Sequence, residues 1–259
     1  MKPGPEKNFQ VISRKSGGLR WWVRSAAPDE KLNTVLENPD AFLADPARQF
    51  KSSRNVTIAR IPREEKTGWV LRRLNYGKLL HRLRDFFRPS RAHRAFWSGL
   101  RLEKEGVATA RVLAVCEVRQ LGWPMRAYLL TEEISEARTL AQLCLSAALL
   151  PAGLEIRLAD LLARLHNLAL SHRDLKASNV LIDLQGQPCL IDLDGVRRVW
   201  FGHRSRAVAD LARLARDVVG GPCVTLKLLI RFLRAYCQDR GVEDWRAWWR
   251  QIEQQLSPD

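Results

Sequence analysis

Residues 172–179 read His172-Arg173-Asp174-Leu175-Lys176-Ala177-Ser178-Asn179. They fill every fixed position of H-R-D-x-x-x-x-N, a loop pattern that serves phosphoryl transfer. The chemistry asks for these residue types. A carboxylate must orient the attacking hydroxyl and accept its proton, and Asp174 is placed for that. Negative charge on the transferred group needs a cation, and Lys176 lies two residues on. Asn179 offers a neutral oxygen to Mg²⁺, so ATP and Mg²⁺ are the expected cofactors.

Asp192 stands thirteen residues after Asn179. Residues 180–183 and 189–193 read as short strands around a turn at Gln185-Gly186-Gln187-Pro188. An antiparallel hairpin of that kind returns Asp192 to the neighbourhood of Asn179, where both can serve one Mg²⁺–ATP. Asp192 is the expected principal metal ligand. Asp194 follows in Ile191-Asp192-Leu193-Asp194-Gly195 and would share its face if the strand continued, which makes it the reserve ligand.

The elements that must hold these residues fall into two halves. In the first, strand patterns lie at 18–23, 56–61, 69–74, 112–118 and 126–131, the last two joined at Gly122-Trp123-Pro124. Residues 25–47 read as loop and short helix, punctuated by Pro28, Pro39 and Pro46. Residues 79–87 place Leu79, Leu80, Leu83, Phe86 and Phe87 on one helical face. Ser90 can cap a further helix running to about Glu105, and Gly106 ends it. From Leu140 the periodicity is helical, over 140–150 and 154–168, and after the hairpin over 207–219, 224–236 and 242–255. A β-rich half before an α-rich half predicts an α+β fold. Residues 1–20 form a tail or edge strand, 21–134 a β-rich lobe, and 135–259 a helical lobe.

Composition narrows the class. A chain of 259 residues can bury one substantial core or build two lobes. No apolar run reaches the roughly 18–20 residues that span a bilayer. The N-terminal stretch lacks the apolar segment of a secretory signal, so a soluble cytoplasmic protein is expected. Cys116, Cys144, Cys189, Cys223 and Cys237 are scattered without a C-x-x-C pair and read as reduced thiols, mostly in the core. The net charge of +15 attracts polyanions: nucleotides, nucleic acid, anionic lipid or phosphorylated glycolipid. Between Arg72 and Lys104 only Asp85 and Glu103 are acidic. Aromatic residues are not interleaved with that basic run as a stacking platform, which argues against nucleic acid.

Residues 171–198, SHRDLKASNVLIDLQGQPCLIDLDGVRR, resemble the lipopolysaccharide kinase family, the Kdo/heptose kinases of the bacterial inner core (WaaP/InaA type). The likeness runs over about 50–235 and includes KSSRNVTIARI, LNYGKLLHRLRDFFRPSRAHRAFWSGLRL, GVATARVLAV and YLLTEEI. The catalytic segment fits many kinase-like families; the basic segment with Arg-Pro-Ser-Arg-Ala points to this one. The resemblance implies a bilobal protein-kinase-like fold with a small antiparallel β-rich lobe and a mainly helical one. It implies transfer of the ATP γ-phosphate to a Kdo or heptose hydroxyl of lipopolysaccharide. The partners would be ATP and an anionic glycolipid acceptor, lipid A–core, at the inner face of the cytoplasmic membrane. Ser52, Ser53 and Arg54 would cover the phosphates without a glycine-rich loop. Glu132 and Ile134 would form the hinge that meets adenine. Asp210 would hold the catalytic-loop backbone, with His172 and Arg173 as structural support.

Two positions depart from the family pattern. The strand at 68–76 should carry a lysine for the α/β-phosphates, and Arg72 stands there, with Arg73 beside it and Lys78 beyond. The next helix should carry a glutamate partner. Ala95 stands there, and Glu103 and Glu105 come two or more turns later. The intact Asp174, Lys176, Asn179 and Asp192 favour an active kinase over a pseudokinase or nucleotide-binding scaffold. A Ser/Thr-type protein kinase is a further alternative. Against it, residues 195–206 are short for a peptide-docking loop and hold no Ala-Pro-Glu segment.

Overall fold

The computed structural model describes residues 10–24, 30–63, 67–76, 86, 88–146 and 150–256. The chain divides into two compact units, one from residues up to 106 with 110–135, the other from 107–109 with residues from 136 onward. The first is β-rich and the second mainly helical, as an α+β fold requires.

The first unit is built on a seven-stranded antiparallel sheet. Its strands are β1 (Val11–Ser16), β2 (Leu19–Arg24), β3 (Gln49–Ser52), β4 (Val56–Ile61), β5 (Trp69–Asn75), β6 (Val112–Gln120) and β7 (Trp123–Glu132), in the order β1-β2-β6-β7-β5-β4-β3. Strand alternation sends Trp21, Ala59, Leu71, Cys116 and Leu130 to one face. There they meet Leu32, Val35, Leu36 and Leu43 of helices α1 (Glu30–Glu37) and α2 (Pro39–Leu43). The other face carries Trp22, Val115, Leu129 and Arg72, which are register partners across β2, β6, β7 and β5. Helix α3 (Arg91–Lys104) lies on that side, its His93 ring 4.8 Å from Trp22. Ser90 caps α3 by accepting from the His93 N–H at 3.1 Å, a contact worth about 1 kcal/mol.

Strand β3 carries too little apolar pattern to be read from sequence, whereas β1 lies within residues 1–20, expected as a tail or edge strand. β1 is an edge strand with four exposed residues at its centre. Its turn to β2 needs glycine: Gly17 and Gly18 have φ +56° and +73°, and a Cβ on Gly17 would lie 1.8 Å from the Glu37 carbonyl oxygen. The helix expected at 79–87 falls outside the described residues apart from Phe86, and so does Lys78.

The second unit runs β8 (Arg138–Thr139), α4 (Leu140–Leu145), α5 (Leu154–Asn167), β9 (Leu170–Ser171), β10 (Val180–Ile182), β11 (Pro188–Leu190), β12 (Arg197–Arg198), α6 (His203–Val218), α7 (Leu226–Asp239) and α8 (Trp245–Leu256). α5 packs on α7, and α6 on α8. β10 lies between β11 and β8, while β12 pairs with β9. Several helix ends differ from the periodicity. α4 stops at Leu145 because Ser146 turns extended. α6 starts four residues earlier than expected, since its first turn, residues 203–206, is exposed and polar and leaves no apolar signal. α8 starts later because the Val242 N–H closes the end of α7 on the Cys237 carbonyl at 2.8 Å. Among the described residues no helix is long and apolar enough to cross a membrane.

The cysteines have no disulfide partners, and all but Cys223 are buried. Burial pushes the Cys116 and Cys144 thiols up to about 12 and that of Cys237 to about 11. They are protonated, inert core groups.

Candidate functional site

The catalytic-loop candidates sit in the second unit and are anchored by Asp210 from α6. Asp210 is fully buried. Its carboxylate accepts the backbone N–H of His172 at 2.7 Å and of Arg173 at 3.0 Å, and the Arg213 guanidinium at 3.0 Å. Burial by itself would raise its pKa. Hydrogen bonding from His166, then from the Ser171 hydroxyl and the His172 amide, opposes that and holds it below the usual carboxylate range. The anchor lets Arg173 keep a left-handed φ of +64°, an uncommon conformation for a residue with a side chain.

His166 lies against the same carboxylate, its Nε2 3.5 Å from Asp210 Oδ2. Burial lowers its pKa, with the Asp210 charge opposing. The imidazole is therefore neutral, and its Nδ1 accepts from the Tyr236 hydroxyl at 2.8 Å. A second carboxylate from α6, Asp217, accepts the Ala177 N–H at 2.9 Å. The loop backbone is thus held at both ends from one helix.

The hairpin is tied to the loop in turn. The Asp183 carboxylate accepts the N–H groups of Gln185 and Gln187 at 3.0 and 2.8 Å and so closes the turn. Val180 pairs with Leu190, and the Ile191 N–H donates to the Asn179 carbonyl at 3.0 Å. His172, fully buried, donates Nε2–H to the Ile191 carbonyl at 3.1 Å. Asp192 therefore follows directly on a residue bonded to both His172 and Asn179. Asp194 is placed differently from the expectation. The strand ends at Leu190, Asp192 has a left-handed φ of +58°, and residues 193–195 form a 3₁₀ turn. The face-sharing argument for Asp194 fails with that turn, although both aspartates remain on one short segment. Gly195 is required here because a Cβ would lie 2.7 Å from the His172 carbonyl oxygen.

Within this frame Asp174 and Lys176 form an ion pair at 2.8 Å with side chains 44% and 51% exposed. That pair raises the Lys176 pKa, first through its hydrogen bond to Asp174, with Asp192 and Asp217 adding charge at longer range. The Asn179 amide nitrogen donates to the Asp174 carbonyl at 2.8 Å. That contact sets the amide's orientation and directs its oxygen away from the carbonyl. A neutral amide oxygen and the Asp192 carboxylate are hard oxygen donors of the kind Mg²⁺ takes, alongside phosphates and water. Among the described residues no cluster of three or more His, Cys, Asp or Glu offers an all-protein metal cage. The donor set thus fits a cation carried in with phosphates.

The nucleotide candidates of the first unit lie on the sheet. Ser52, Ser53 and Arg54 are exposed at the β3–β4 turn. The Ser53 hydroxyl accepts the Val56 N–H at 3.2 Å and donates to the Val56 carbonyl, which commits it to the turn itself. Arg72 and Arg73 point to opposite faces. Arg73 pairs with Asp40 at 2.9 Å, beside Arg126 and the Tyr128 hydroxyl on the same carboxylate. Arg72 lies on the face that carries α3. Ala95 is buried in α3. Glu103 is engaged by the buried Arg24 through two hydrogen bonds and lies 3.8 Å from Arg111. The Glu132 side chain meets Arg111 at 3.5 Å, and its N–H donates to the Arg111 carbonyl at 2.8 Å. Ile134 lies just beyond β7.

Sequence reasoning missed His166, Ser171, Arg213 and Asp217. Asp217 carried a usable signal, since it lies two helical turns after Asp210 on the same face. Arg213 carried one too, three residues after Asp210 on the same helix. His166 and Ser171 gave none, because their role depends on a carboxylate distant in sequence.

A family model described as the lipopolysaccharide kinase (Kdo/WaaP) family matches residues 40–236. Among curated proteins, the 3-deoxy-D-manno-octulosonic acid kinase of Vibrio parahaemolyticus is 32% identical over 55% of this chain and 59% of its own length. The protein of the same name from Xanthomonas campestris pv. campestris is 37% identical over 46% of each chain. That from Xylella fastidiosa is 33% identical over 49% of this chain and 54% of its own. The matches thus span about half to three fifths of those relatives. A solved structure titled WaaP in complex with acyl carrier protein superposes with a TM-score of 0.59 at 18% identity, covering 89% of this chain and 98% of that one. At that identity the likeness speaks for the fold alone.

Proposed function

The chain belongs to the lipopolysaccharide kinase (Kdo/WaaP) family, and from that premise we propose that it transfers the γ-phosphate of ATP to a hydroxyl of Kdo in the lipopolysaccharide inner core. The observation that carries this reading is the exposed Asp174–Lys176 pair on a loop otherwise locked from beneath. The curated relatives named above favour Kdo over heptose as acceptor sugar.

The acceptor hydroxyl attacks the γ-phosphorus, the bond from that phosphorus to the β–γ bridging oxygen breaks, and ADP departs. Asp174 receives the hydroxyl proton on a carboxylate oxygen, the base role that a half-exposed carboxylate paired with a cation can fill. Lys176 turns from Asp174 toward the phosphoryl oxygens as charge builds there. Exchange of partner is cheap because exposed ion pairs contribute only about 0–1 kcal/mol. Mg²⁺ bound with ATP supplies charge neutralisation at the phosphates. Asn179 and Asp192 would hold it, with Asp194 the reserve ligand. Arg72 takes the phosphate-binding place of the usual lysine, Ser52 and Arg54 supply further contacts at the β3–β4 turn, and the backbone around Glu132 and Ile134 receives adenine.

The test is incubation of the purified chain with labelled ATP, Mg²⁺ and either Kdo-bearing or heptose-bearing lipid A acceptor. Label should enter the Kdo acceptor and be lost with Asp174→Ala. Label in the heptose acceptor alone would change the sugar. No label in either, or transfer that survives Asp174→Ala, would end the reading.

A further inference from the structure

The segment after the metal-ligand candidates is pinned beside the catalytic loop. β12 pairs with β9, Arg197 opposite Ser171 and Arg198 opposite Leu170. The Val199 N–H then donates to the Ala169 carbonyl at 2.7 Å. Because Ser171 leads directly into His172, residues 197–199 run alongside the strand that feeds residues 172–179. Immediately afterwards the chain turns outward. Trp200 is 68% exposed and Phe201 90%. Gly202, at φ +68°, then starts α6. Leaving a large aromatic side chain in water forgoes the free energy of its burial. Two in succession, on a segment held by backbone hydrogen bonds, call for a reason other than packing.

Arg198 supplies one. Its guanidinium lies over the Trp200 ring, 4.3 Å from the centroid. Its neighbour Arg197 is occupied, donating to the Asp194 and Val196 carbonyls at 2.9 and 2.7 Å. Arg198 is exposed, and among the described residues its side chain has neither an ion pair nor a hydrogen bond. A guanidinium laid on an indole is ordered in orientation while its N–H edge stays open, and that edge matches a carboxylate bidentately. The first turn of α6 adds to the field. It contains no acid and carries His203, Arg204 and Arg206 at the helix end that is already electropositive. Arg204 is engaged by Gln251. That placement of His203 and Arg206 weakens the helix and attracts an anion.

We propose that Arg198 and Trp200 form the acceptor subsite for an acidic pyranose. The sugar carboxylate meets the Arg198 guanidinium, the apolar C–H face of the ring lies on the exposed part of the indole, and Phe201 extends the shelf toward the next sugar. The inference rests on the kinase reading for its assignment as an acceptor site, while the binding it describes is measurable without nucleotide.

The experiment titrates a lipid-free Kdo disaccharide into the full chain by calorimetry without ATP, and then measures acceptor kinetics. Trp200→Ala and Arg198→Ala should each weaken binding about tenfold, a change of about 1.4 kcal/mol. Arg198→Lys should not restore it, because lysine keeps the charge and loses the fork and the stack. A neutral methyl glucoside should bind weakly and be indifferent to Arg198→Ala. The KM for the Kdo acceptor should rise in parallel with the KM for ATP unmoved. If the wild type transfers phosphate and the variants keep its acceptor affinity and KM, the subsite is wrong and the kinase reading stands. Sugar binding that depends on both residues, without any phosphate transfer, would keep the subsite and remove the kinase reading. Neither binding nor transfer by the wild type would remove both.

Discussion

Asp210 and Asp174 serve the same loop from opposite ends of the burial scale. Asp210 is fully buried, and backbone amides, Arg213, Ser171 and His166 surround its carboxylate. Asp174 is 44% exposed, and its cation, Lys176, is 51% exposed. A buried carboxylate saturated with donors cannot exchange partners, so it sets geometry. An exposed pair can exchange them at little cost, so it is available for chemistry. The loop needs both kinds, and they come from different elements.

That contrast can be broken by experiment. Asp174→Asn should lower phosphate transfer about 10³-fold by removing the base. Its melting temperature should stay close to the wild-type value, since the exposed pair is worth at most about 1 kcal/mol. A large loss of stability would show Asp174 to be another anchor. Asp210→Ala should instead cost about 3–5 kcal/mol in urea unfolding, because a buried, paired charge is removed and its donors are stranded. A cost under about 1 kcal/mol in that measurement would erase the distinction.

The two arginines of β5 repeat the comparison in the first unit. Arg72→Met should raise the KM for ATP about tenfold, equivalent to about 1.4 kcal/mol, with little change in unfolding. Arg73→Met should leave that KM alone and cost about 0.5–1 kcal/mol of stability through Asp40. The reverse pattern would exchange their roles.

The smallest effect lies in the pH dependence of stability. His166 has its pKa lowered from 6.5 by burial, so below that pH the unfolded chain binds a proton that the folded chain refuses. Stability should fall as pH drops from about 7 toward 5. His166→Gln should flatten that slope, and His93, whose pKa is also lowered chiefly by burial, should supply part of the remainder. Asp210 acts in a lower window. Its pKa lies below 3.8, so its contribution is present above that value and is lost as pH falls through the folded-state value. A slope between about pH 7 and 5 that His166→Gln leaves unchanged would rule out the buried neutral imidazole.

Much of the helical unit's site was legible because its information is local. The eight residues 172–179 and the hairpin that brings Ile191 to Asn179 depend on spacing along the chain. Strand β3 and the first turn of α6 were not legible, because exposed polar residues carry no periodicity. The face-sharing argument for Asp194 did not hold, because alternation presumes extended backbone and Asp192 adopts a left-handed turn.

By itself the sequence determined which groups could do chemistry, namely Asp174, Lys176, Asn179 and Asp192, because covalent spacing limits how far a short loop and hairpin can separate them. Tertiary structure decided which groups hold them. It turned Arg73 toward Asp40 and Arg72 toward the face of α3, a choice that adjacent residues of a sheet covered on both sides do not reveal. It also brought Asp210 beneath His172 across a sequence separation of 38 residues. Burial and hydrogen bonding act between residues distant in sequence, and only the folded chain shows which of them meet.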